Sequence, residues 1–163
     1  MQFAGSIHIF SREVKFFLAA FVVVLNIGYF TGLGFGAQTE STHPQGIEDN
    51  YLGNEEVEDA VVMKFKKGPR EMLTIIHTHV LSLSFIFFLL GGILLTTSLS
   101  QRLKLFLLIE PFVSIIVTFG GIYLMWEGML WMKYVVVLSG ILMTVCFLWA
   151  SSIILFQLLK KKA

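Results

Sequence analysis

Two histidines, His77 and His79, interrupt the apolar run REMLTIIHTHVLSLSFIFFLLGGILL (residues 70–95), and a carboxyl, Glu110, interrupts another, LLIEPFVS. In such surroundings imidazoles act as cofactor or metal ligands, as proton or quinone-handling groups, or as polar groups satisfied by neighbouring helices. Spacing narrows the choice. Residues i and i+2 are separated by about 200° around a helix, so the two rings point to nearly opposite faces. They cannot both grip one ion as an i, i+4 pair does. Two ligands here therefore imply two sites, or one site plus a hydrogen-bonding role. Glu110 is open to three roles: proton uptake from the inner side, pairing with Arg102 or Lys104 about two turns away, or service as a protonated structural carboxyl. Pairing and the protonated state are the favoured two. The rise per residue sets Glu110 roughly 20 Å in depth from the histidines, too far for one catalytic pair.

The elements that carry these groups follow from composition. The chain has 163 residues, 56% hydrophobic and only 14% charged, with 16 Phe. A soluble domain of that size has no means of hiding so much apolar surface, so the bilayer is its main solvent. A net charge of +1 offers no basis for binding nucleic acid. The single cysteine, Cys146, excludes an internal disulfide and any cysteine-based zinc or iron–sulfur site within one chain. Four stretches, near 14–35, 72–97, 103–126 and 131–158, are long enough to span roughly 30 Å of hydrocarbon. The first resembles a signal peptide with cleavage near Gly36, but is expected to be retained as a signal-anchor helix. The expected fold is an all-α integral membrane protein: one domain, an antiparallel bundle of four transmembrane helices with one long extracytoplasmic loop.

Basic residues set the orientation. Arg12 and Lys15, Arg102 and Lys104, and Lys160, Lys161 and Lys162 all fall on one side, which the positive-inside rule makes cytoplasmic. The 36–70 loop, with Glu40, Glu48, Asp49, Glu55, Glu56, Glu58 and Asp59, lies outside, and both termini are cytoplasmic. The loop turns from acidic to basic, so its halves either pair with each other or dock an extracytoplasmic protein. Its VVMKFKK segment reads as a short strand or an interfacial anchor, and His43 as a solvated loop residue. Gly28, Gly32, Gly34 and Gly36 have the small-residue spacing that admits a close helix neighbour. YLMWEGMLWMKY reads as the usual aromatic belt.

HTHVLSLSF resembles the His-x-His helix of haem–copper oxidases and nitric-oxide reductases. In that family one histidine ligates the low-spin haem and the other the active-site haem, on opposite faces of one helix. The resemblance implies a helix presenting one or two axial haem ligands toward the outer face. It covers only these few residues, and four spans without a copper-site triad exclude an oxidase catalytic subunit. No other span carries a histidine, and His8 lies on the inner side. A second ligand would come from Met125, Met129 or Met132, or from a histidine of another chain. Methionines in apolar helices are more often packing filler. The bland alternative has each ring bonded within an outer polar layer of Asn26, Tyr29, Tyr123, Glu127 and Tyr134.

Glycine-rich phosphate loops, His-Glu-x-x-His and nucleophile triads are absent from the sequence. The expected identity is a small inner-membrane subunit of a redox or respiratory complex, not catalytic alone. His77 or His79 would ligate haem b, with a quinone as a further redox partner. Its neighbours would be other membrane subunits or a second copy, an extracytoplasmic protein on the loop, and lipid. The rivals are a cofactor-free structural or assembly subunit and a small proton- or ion-conducting bundle using Glu110.

Overall fold

A computed structural model of the chain describes residues 5–39, 42–55 and 62–160. Glu40, Glu56, Glu58, Asp59, Lys161 and Lys162 lie outside the described residues. After a 3-10 turn at Ser6–Ile9 come five helices: α1 Arg12–Gln38, α2 Pro44–Leu52, α3 Pro69–Leu95, α4 Gln101–Trp126 and α5 Met132–Leu159. Four of them, α1, α3, α4 and α5, are long and apolar enough to cross a membrane. At 26 to 28 residues each, they are about 40 Å long. Their ends fall within three residues of the expected spans. No strand occurs among the described residues, so the described part of VVMKFKK, residues 62–67, is not one.

α4 and α5 share the largest interface and form the centre of the bundle, with α3 against α4. Close approach depends on Gly121, where a Cβ would sit 2.9 Å from Val136 Cγ2 and 3.2 Å from Met132 Cε. α4 runs unbroken through the buried Pro111. α1 is peripheral, docking mainly on α5. Val22 is its one buried residue. Tyr29 stacks on Phe147 with centroids 3.9 Å apart and shares a 3.1 Å hydrogen bond with Thr144. Ser151 Oγ donates to Asn26 Oδ1 at 3.2 Å. Within the chain, Gly28, Gly32, Gly34 and Gly36 have nothing within 4 Å of a hypothetical Cβ, so no helix of this chain uses their small-residue stripe.

The loop end holds a helix that composition did not reveal. α2 begins at Pro44, and His43 caps it: the Gly46 amide donates to His43 Nδ1 at 2.9 Å. His43 is exposed, as a solvated loop residue would be, and it also serves as the N-cap. Among the described residues, the two halves of the loop are joined through the backbone. Asn54 N donates to the Lys64 carbonyl, Lys64 N to Asn54 Oδ1, and Lys67 N to the Tyr51 carbonyl. Glu48 of α2 instead reaches Lys133 of α5 at 2.5 Å. Trp126 Nε1 donates to the Lys67 carbonyl at 2.8 Å, joining the returning loop to the end of α4.

At the other end the 3-10 turn packs beneath the α3–α4 connection. Ile7 N donates to the Thr96 carbonyl, and Lys104 Nζ to the carbonyls of Leu95 and Thr97. These are carbonyls that the end of α3 leaves unpaired. Lys104 therefore caps α3 and does not pair with Glu110.

Candidate functional site

α3 starts at the loop end, and Pro69 at its first position starts the helix without sacrificing a needed amide. Ten residues on, about 15 Å along the axis, His79 meets α4, its ring stacked 5.2 Å from that of Phe119. His79 Nδ1 lies 2.8 Å from the Ile75 carbonyl, one turn back. A carbonyl only accepts, so Nδ1 carries the proton and donates it. Nε2 is left as a free lone pair. That tautomer, fixed by a backbone carbonyl, is the form in which a histidine ligates a metal or accepts a proton.

His79 lines a cavity of about 470 Å³ between all four spans and α2. Its walls are largely aliphatic and aromatic. Polar atoms come from Tyr29 of α1, Tyr51 of α2, Thr118 of α4 and Thr144 of α5. Burial pushes the Tyr51 phenol above its ordinary range, which keeps it neutral. Gly32 and Gly36 of α1 also line the space, so part of the glycine stripe opens onto a cavity instead of a helix.

His77 lies elsewhere. Like His79 it is exposed, but it borders no part of that cavity and makes no hydrogen bond to the described residues. The two rings thus diverge, as their spacing requires. Neither bonds to the polar layer of Asn26, Tyr29, Tyr123, Glu127 and Tyr134: Asn26 and Tyr29 bond to α5 instead. Nor do the expected methionines border the His79 cavity. Met125 is wholly buried, Met129 is exposed and Met132 wedges against Gly121. The thioether on the cavity wall is that of Met143 in α5, which the reading by depth from the helix ends did not single out. Among the described residues no group of three or more His, Cys, Asp or Glu is arranged to hold a metal ion.

Glu110 is buried between α4 and α5, with Ser114 donating to its Oε1. It pairs with neither basic residue: Lys104 is engaged at the end of α3, and Arg102 is exposed. The pairing expectation fails because one helical turn brings Ser114 to the carboxyl, whereas Lys104 is drawn the other way. The depth expectation also shortens. His79 stacks at the level of Phe119, nine residues from Glu110, or about 13 Å along α4.

A family model for a transmembrane helical domain, Aq_1264_TM, matches residues 41–163. The chain belongs to that family. The match takes in α2 to α5, the helices that form the bundle centre, and leaves out the peripheral α1. Membership agrees with an integral membrane protein. No curated protein and no solved structure matches the chain.

Proposed function

We propose that this four-helix membrane protein is a small subunit of a redox or respiratory assembly, in which His79 ligates a b-type haem at the loop-side cavity. One observation carries the reading: His79 Nε2 is free on the wall of a largely apolar cavity, its tautomer fixed by the Ile75 carbonyl. Phe119 supports the ring from the side, and the hydrocarbon walls suit a flat, largely apolar macrocycle. Met143 is this chain's own candidate for the second axial position, and a histidine of another subunit is the alternative source. The exposed His77 supports a neighbour on that side, since an imidazole in hydrocarbon is costly until something covers it. The haem would supply one-electron chemistry, exchanged with an extracytoplasmic partner at the 36–70 loop or with a quinone in the membrane. The basic residues support placing the termini on the cytoplasmic side of the inner membrane.

The test is the absorption spectrum of the purified protein. The reduced-minus-oxidised α-band is expected to disappear in His79→Ala and to survive in His77→Ala. A stably folded, colourless wild-type protein isolated from haem-replete membranes overturns the reading.

A further inference from the structure

Glu110 is the one buried carboxyl among the described residues, and half of it is unsatisfied. Ser114 donates to Oε1, while Oε2 is buried with no hydrogen-bond partner. No ion pair holds it among the described residues, although Arg102 lines the same groove on the α4–α5 face. Cys146 of α5 lies beside it, and α3 carries no ionisable side chain between residues 80 and 95. Arg102 and Lys104, below it on α4, are exposed and engaged with α3 respectively. Because Oε1 accepts from Ser114, Oε2 is the oxygen left open to exchange a proton.

The polar groups above Glu110 are ordered. Ser114 and Thr118 follow it at steps of four, so all three share the buried face of α4, 8%, 2% and 7% exposed in turn. Thr118 and Ser139 of α5 share a 2.7 Å hydrogen bond, and Thr118 also lines the His79 cavity.

We propose that Glu110 is a proton-exchange site linked to the loop-side cavity by the Ser114, Thr118 and Ser139 hydroxyls, carrying protons from that cavity into the middle of the bundle. Each transfer breaks one O–H bond as the next forms, and no electrons move. Ser114 and Thr118 lie one turn apart, about 6 Å between Cβ atoms, a step that one water or a turn of the Thr118 hydroxyl bridges. The relay goes beyond the haem reading and stands whatever the cavity binds.

Infrared spectroscopy of the full chain in lipid nanodiscs tests it. A protonated-carboxyl C=O band is expected that vanishes in Glu110→Gln and shifts on transfer to D2O. Should that variant fail to fold, dicyclohexylcarbodiimide labelling located by mass spectrometry assigns the protonated carboxyl instead. In Ser114→Ala and in Thr118→Val the band is expected to remain while its deuterium exchange slows about tenfold or more. No such band together with no labelling of Glu110, or unchanged exchange in both hydroxyl variants, overturns the proposal.

Discussion

Single side chains decide how α1 is held. Nearly all of that helix faces outward, and its attachment is concentrated at Tyr29, whose ring stacks on Phe147 and whose hydroxyl meets Thr144. Tyr29→Ala is expected to destabilise the protein by about 2 kcal/mol through lost packing and stacking. Tyr29→Phe, which loses only the hydroxyl, is expected to cost about 0.6 kcal/mol, the usual size of a hydrogen bond between membrane helices. Unfolding followed by circular dichroism in mixed micelles checks the ratio; equal losses would mean that the ring contributes nothing. At this scale the sequence was legible where geometry is intrinsic to one helix. The divergence of His77 and His79 follows from a two-residue step alone. The partners of Glu110 were not legible, because Ser114 and Lys104 both lie within two turns of it. Only the packed end of α3 shows which of them was already engaged.

Among the elements, α2 and the returning segment 62–67 depend on one turn. Gly53 has φ +89°, and a Cβ there would meet Lys66 N at 2.8 Å and the Lys64 carbonyl oxygen at 2.9 Å. Both obstacles are backbone and cannot rotate away. Gly53→Ala is therefore expected to cost about 2–3 kcal/mol from left-handed strain and overlap. The damage should stay local, with hydrogen exchange rising at the Asn54, Lys64 and Lys67 amides and unchanged in α4 and α5. Uniformly faster exchange across the bundle would refute that confinement. The long spans were readable because twenty or more apolar residues have one solution in lipid, a helix that satisfies its own backbone. Helix α2 was not. Nine residues of mixed polarity form no stable helix alone, and this one relies on the His43 cap and on Glu48 meeting Lys133 across the bundle.

For the molecule as a whole, the described structure places the Ser6–Ile9 turn, the α3–α4 connection and the end of α5 together at one end, joined by His8, Ser98 and Gln157. α2 and the returning loop occupy the other. With the positive-inside orientation, a cysteine at Asn54 in a Cys146→Ser background is expected to react with a membrane-impermeant maleimide on intact cells. A cysteine at Ser100 is expected to react only after the membrane is opened. The reverse pattern would invert the topology, and with it the side from which the His79 cavity and the Glu110 relay are reached.

Apolar length determined, from sequence alone, that this is a four-span membrane protein, and the distribution of basic residues supplies the expectation that its loop lies outside. Both depend on sums over many residues, which no single contact overturns. The tertiary structure decided that His79 rather than His77 stacks on α4 and borders the loop-side cavity, that Met143 rather than Met125 or Met129 borders it too, and that Ser114 rather than Lys104 meets Glu110. Those outcomes depend on the rotation of one helix against another. Side-chain packing sets that rotation, and four helices of nearly uniform hydrophobicity leave no periodic signal of it in the chain.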